Sequence, residues 1–170
     1  MSKAKSVNNT EHQDGVKPVI LVVDDEETIR FCLKEALEVE GYKVHTEDNG
    51  ENSLKLIKKI IPDLVILDLK MPGMNGLELL KEIKAYDQNI LVILLTGHAS
   101  VDSVVNVMKA GAFDYLEKPF KMEHIKVVIE RALSTQSLMR EVSRLRAKAN
   151  IVGGANIVAV SKEMKKVFEH

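Results

Sequence analysis

Five short apolar runs punctuate this chain, and each gives way to a stretch whose apolar residues recur every three or four positions. Residues 19–23 (VILVV) form the first run; residues 26–39 then carry Ile29, Leu33, Ala36 and Leu37 at helical spacing until Gly41 stops them. Residues 42–46 alternate apolar and polar, as a half-buried strand does. Asn49 is a good cap for a helix with Leu54, Ile57 and Ile61 on one face. Residues 64–67 lead to a helix over 75–85 with Leu77, Leu80 and Ile83 inward, and residues 90–95 to one capped by Ser100 with Val104, Val107 and Met108 inward. Residues 113–117 make a fifth strand before a long helix from about residue 121.

Five strands alternating with five helices through short loops imply right-handed crossovers and a doubly wound α/β architecture, a parallel sheet with helices on both faces. Strands one, three and four are apolar throughout, which suits central positions, while two and five alternate, which suits edges. The order 2-1-3-4-5 satisfies both conditions. It opens a crevice between strands one and three at their carboxyl ends, where parallel sheets bind ligands.

Composition narrows the class. The 170 residues are 45% apolar, enough for one core with extensions, and 24 Lys and Arg against 25 Asp and Glu leave a net charge of -1, so no global field favours nucleic acid or an anionic membrane. The single cysteine, Cys32, excludes an internal disulfide and reads as helix core packing. No apolar run reaches the ~18 residues of a membrane span, and residues 1–17 have the polar composition of a disordered tail with no signal-peptide core. A cytoplasmic protein is expected.

The chemistry converges on PDLVILDLKMPGMNG, where an apolar strand stops at Asp68 before a Pro-Gly turn. Parallel strands place Asp24, Asp25, Asp68, Thr96 and Lys118 at one sheet edge, with neighbouring strands ~4.8 Å apart. Two carboxylates ~5 Å apart repel by about 3 kcal/mol at an effective dielectric of 20, so three in one crevice must hold a proton or recruit a cation. Mg²⁺, held by one or two carboxylates with waters and phosphate oxygens, fits that need and leaves Asp68 able to attack phosphorus. Lys118 and the Thr96 hydroxyl would then stabilise the phosphoryl oxygens. Zinc is disfavoured, because His12, His45, His98, His124 and His170 have no ligand spacing, and neither GxxxxGK[ST] nor GxGxxG occurs.

Asp-Asp after strand one, Asp in DLKMPGMNG, Thr in LLTGHAS and Lys-Pro in YLEKPF together resemble the receiver domain of two-component response regulators, over residues 18–132. The resemblance implies a flavodoxin-like fold in which Asp68 accepts phosphate from a sensor histidine kinase. It also implies that Asp25, Asp68 and the Lys70 carbonyl hold Mg²⁺ directly and Asp24 through water, that Thr96 and Tyr115 form a switch pair, and that the Lys118-Pro119 bond is cis. In one respect the chain departs from the family: Lys121, instead of an acidic cap, precedes the fifth helix and sets a positive charge at its positive end.

Past the receiver, residues 133–150 continue the helix as a linker in which Leu138, Val142, Leu145 and Ala149 follow the 4-3-4 spacing of a coiled-coil seam. A homodimer through this carboxyl-terminal helix is expected. Residues 151–170 (IVGGANIVAVSKEMKKVFEH) resemble the opening of the AAA+ ATPase module in sigma-54-dependent activators of the nitrogen-regulator type, truncated before any Walker motif. The expected protein is therefore a phosphorylatable regulator of transcription, not an enzyme, with no direct DNA binding by these residues and no membrane partner. Two rival readings fit the acidic crevice less well. A phosphatase of the haloacid-dehalogenase type needs a second Asp two residues after its nucleophile, where Lys70 stands; the other is a binding module with an inert acidic pocket.

Overall fold

The computed structural model describes residues 15–167, with side chains as far as residue 150. The expectation of a disordered tail over residues 1–17 falls mostly outside that range. Five strands, β1 (Val19–Val23), β2 (Lys43–Glu47), β3 (Leu64–Asp68), β4 (Leu91–Thr96) and β5 (Asp114–Glu117), alternate with α1 (Glu27–Val39), α2 (Gly50–Ile60), α3 (Gly76–Tyr86), α4 (Val101–Lys109) and α5 (Met122–Val167). All pairings are parallel, in the order β2-β1-β3-β4-β5.

The central strands are buried on both faces because successive side chains point to opposite sides. Ile20 and Val22, Leu64 and Ile66, and Leu91, Ile93 and Leu95 pack under α1 (Leu33, Leu37) and α5 (Ile125, Val128, Ile129, Ala132). Leu21 and Val23, Val65 and Leu67, and Val92 and Leu94 pack on the other face under Ile57 of α2, Leu79, Leu80 and Ile83 of α3, and Val107 of α4. Fully burying one such side chain contributes about 1.5 to 3 kcal/mol. The two apolar layers thus clamp the sheet and fix which residues emerge at its carboxyl edge.

Local signals set the helix starts. The Asn49 and Asn75 side chains accept from the backbone N–H of Asn52 and Glu78, and Ser100 forms a reciprocal capping box with Ser103. α5 begins at Met122 with the Lys121 carbonyl accepting from His124 and Ile125, and Glu123 in its first turn offsets the charge of Lys121. Its backbone stays helical to Val167, across residue 151 where a further module was expected.

Three packing expectations are corrected. Cys32 is exposed, because the inward face of α1 is set by Leu33 and Leu37, and residue 32 lies about 100° round from residue 33. Met108 is 41% exposed, since α4 turns Val107 to the core and carries Met108 sideways. Ile61 does not extend the inner face of α2: it is the helix's C-cap, at φ 46° and ψ 74°, and is 54% exposed. Conversely, the fully buried Leu79 of α3 was not anticipated.

Candidate functional site

Strand β1 ends in Asp24 and Asp25, β3 in Asp68, β4 in Thr96, and Lys118 follows β5. The sheet therefore delivers all five residues to one edge. Carboxylate oxygens of Asp24, Asp25 and Asp68 lie within 4.8 Å of one another. Asp24 and Asp68 are buried, whereas Asp25 is exposed.

Lys118 reaches across the strand ends, a span its side chain is long enough to bridge. Its Nζ lies 2.8 Å from Asp24 Oδ2, 3.4 Å from Asp68 Oδ2 and 3.4 Å from Glu26 Oε1. The lysine is thus held closer to Asp24 than to the expected phospho-acceptor. Burial alone would lower the Lys118 pKa, but the hydrogen bond to Asp24 and the charges of Asp24, Asp68 and Glu26 outweigh it and raise the pKa. Asp68 is pushed up to about 6, first by burial and then by the charge of Asp24, against the opposing pull of Lys118 and the Lys70 N–H. Burial and the neighbouring Asp24 thus make the ionised Asp68 costly and create a demand for positive charge at this edge.

Every polar atom of Asp24 is occupied. Its N–H donates to the Glu47 carbonyl at the end of β2, Oδ1 accepts from the Glu26 N–H (2.9 Å), Oδ2 from Lys118, and its carbonyl from Arg30 Nη1 (2.7 Å). Asp24 is consequently a fixed post. Among the described residues, no side-chain or backbone donor reaches the Asp25 carboxylate.

The turn after β3 is shaped by two glycines. Pro72-Gly73 supplies the reversal, with Gly73 at φ +77°. Gly76 lets α3 start against the strand end: a Cβ there would lie 2.4 Å from the Asp68 carbonyl oxygen and 2.6 Å from Leu69 Cα. The Gly76 N–H donates to the Leu69 carbonyl at 2.9 Å, tying helix to loop. Beside this loop runs a cleft of ≈ 540 Å³ lined by Leu69, Lys70, Met71, Pro72, Asn75 and Leu77.

Thr96 is buried, and its Oγ1 accepts from the His98 N–H at 3.2 Å. Tyr115 is half-buried and shares a small cavity with Thr96, lined also by Leu69, Leu94, Ser103, Val104 and Val107. These two residues therefore adjoin one another, while no hydrogen bond joins Thr96 to Asp68 among the described residues. The Lys118-Pro119 bond is cis, as the resemblance implied.

Three site residues escaped the sequence reading: Glu26, which touches Lys118; Arg30, which holds the Asp24 carbonyl; and Gly76, whose lack of a side chain the strand end requires. Only Gly76 carried a signal, as the last residue of the Asn-Gly pair that opens α3.

Residues 20–130 match the response regulator receiver domain family. The chain is 39% identical over 126 residues to the regulatory protein AtoC of Escherichia coli K12, covering 74% of this chain and 27% of that protein. It is also 39% identical over 118 residues to the sporulation initiation phosphotransferase F of Bacillus subtilis, covering 69% of this chain and 95% of that one. Among solved structures, NtrX from Brucella abortus superposes with a TM-score of 0.72 at 39% identity, over 76% of this chain and 30% of NtrX. The chain spans less than a third of AtoC and of NtrX.

Proposed function

Because this chain belongs to the response regulator receiver family, whose members act in phosphorylation-dependent signalling, we propose that Asp68 is its phospho-acceptor and a sensor histidine kinase its donor. The observation that carries this reading is the buried Asp68 carboxylate with Lys118 Nζ at 3.4 Å and two further carboxylates within 4.8 Å. In the transfer, an Asp68 oxygen forms a bond to phosphorus while the P–N bond to the donor imidazole breaks, and the leaving nitrogen takes up a proton. Lys118 would follow the developing charge on the phosphoryl oxygens, with the Thr96 hydroxyl on the other side.

The oxygen-only donor set of Asp24, Asp25 and Asp68 fits a hard divalent cation. Asp25, Asp68 and the Lys70 carbonyl would hold Mg²⁺ directly and Asp24 through water. When bound, it supplies neutralisation of the acidic cluster and of the phosphoryl oxygens. The chain would catalyse only its own phosphorylation and dephosphorylation.

The output follows from the switch pair and the long helix. Thr96 drawn toward the phosphoryl group would vacate space that Tyr115 can occupy, changing the surface of α4, β5 and α5. Residues 18–132 form the receiver in this reading, 133–150 a coiled-coil linker, and 151–170 the beginning of an AAA+ ATPase module that controls sigma-54-dependent transcription in the cytoplasm. Leu138, Val142 and Leu145 support a homodimer, being 68%, 45% and 53% exposed with nothing of their own receiver over them. Balanced charge supports the absence of direct DNA binding by these residues, and no described helix is long and apolar enough to cross a membrane.

Intact-mass spectrometry after incubation with acetyl phosphate and Mg²⁺ tests the acceptor. One added phosphoryl group is expected on the wild type and none on Asp68→Asn; equal yield on the variant would refute the assignment.

A further inference from the structure

Resting on the reading that Asp25 and Asp68 hold Mg²⁺, we propose that Arg30 is a positioning residue for the cation site, orienting Asp25 through the Asp24–Asp25 peptide. Arg30 is the fourth residue of α1, and a cation there opposes the positive end of the helix dipole, a cost of about 0.3 to 1 kcal/mol. Its guanidinium does not pair with the neighbouring Glu26 or Glu27; Nη1 instead donates to the Asp24 carbonyl at 2.7 Å in a half-buried setting. That carbonyl belongs to the peptide unit whose N–H is Asp25's. A peptide unit is planar, so holding its oxygen fixes the direction in which the next residue leaves. The side chain and N–H of Asp24 are already tied to Lys118, Glu26 and Glu47. The Arg30 bond adds to these the tie on the carbonyl of the peptide that leads into Asp25, whose exposed carboxylate has no donor of its own among the described residues to hold it in the cluster.

Coulomb's law gives this proposal a sign that separates it from a field effect. Removing a positive charge near a cation site should tighten cation binding by electrostatics alone. Loss of positioning should weaken it.

The experiment is a titration of wild-type protein, Arg30→Met and Arg30→Lys with Mg²⁺ alone, followed by amide chemical shifts, with urea midpoints in EDTA recorded alongside. Arg30→Met is expected to bind Mg²⁺ at least fivefold more weakly while keeping a dispersed spectrum. Arg30→Lys, which retains a donor and the charge, is expected to recover more than half of that loss on a logarithmic scale. Binding by Arg30→Met that equals or exceeds the wild type overturns the proposal, as does a lysine variant no better than methionine. Should Arg30→Met give a collapsed spectrum, Arg30→Leu, also uncharged and without a donor, carries the same expectation. If the wild type itself does not bind Mg²⁺, the proposed function fails at its metal site, an outcome distinct from failure of the role given to Arg30.

Discussion

Lys118 Nζ lies 2.8 Å from Asp24 and 3.4 Å from Asp68, so the cation that follows β5 is primarily the partner of the fully buried acid and secondarily of the proposed acceptor. This preference has consequences for stability before any phosphate arrives. Among the described residues, Lys118 is the cation that links the two acids.

Replacing that lysine with methionine keeps the stem and removes the charge. Asp24, with no exposed surface, would be left as an unpaired buried carboxylate beside Asp68. Breaking a buried pair costs 3 to 5 kcal/mol, and the partial exposure of Lys118 brings the expected loss down to about 2 to 4 kcal/mol. Urea unfolding of Lys118→Met in EDTA checks it; a midpoint unchanged from the wild type would mean that the pair contributes nothing net.

Asp68→Asn should act in the opposite direction in metal-free protein. The folded Asp68 pKa of about 6 stands above the ordinary carboxylate value, so between the two the folded state binds more protons than the unfolded state, and stability rises as pH falls through that window. The penalty for the ionised carboxylate is full above pH ~6 and gone below pH ~4. Asn is therefore expected to stabilise by about 1 to 2 kcal/mol at pH 7.5, net of the lost Lys118 contact, and by almost nothing near pH 4. Denaturant curves for both proteins at the two pH values give the comparison, and a gain independent of pH would contradict the electrostatic origin.

Two backbone positions should respond in opposite ways. Gly76→Ala places a Cβ 2.4 Å from the Asp68 carbonyl oxygen, where only backbone movement relieves the clash, and should cost about 1 to 3 kcal/mol and disturb the acceptor's carbonyl. Ile61→Gly relieves a β-branched residue at φ 46° that is half exposed, and should stabilise by about 0.5 to 1 kcal/mol. Thermal melts of the two variants, in one buffer with EDTA, should move apart in these directions.

The helical extension gives the remaining expectation. Gln136 donates to the Asp63 and Asn89 carbonyls and Arg140 to the Asp63 carboxylate, so this face of α5 is pinned to the receiver. At about 100° per residue, Leu138, Val142 and Leu145 lie roughly opposite it. A second copy can then bury the seam without displacing either receiver. Sedimentation at tens of micromolar should find dimers of the wild type and monomers of a Leu138→Ser, Val142→Ser, Leu145→Ser triple variant; a monomeric wild type, with or without a phosphoryl mimic, would remove the coiled-coil reading.

The strand order, the identity of the central strands and the gathering of Asp24, Asp25, Asp68, Thr96 and Lys118 at one edge were all legible in the chain. Continuous apolar runs demand burial on both faces, and parallel crossovers send every carboxyl end the same way. Helix caps at Asn49, Asn75 and Ser100 were equally plain, because capping is local chemistry.

Sequence alone thus determined which residues meet, but which atoms they offer one another depended on the fold. The preference of Lys118 for Asp24, the hold of Arg30 on a backbone carbonyl and the need for bare space at Gly76 arise between segments far apart in the chain or from backbone placement. No periodicity encodes them. The exposure of Cys32, Ile61 and Met108 was misread for a related reason: an apolar residue near a helix's inner stripe is turned in or out by a rotation of some 100°, and that rotation is set by what the helix packs against.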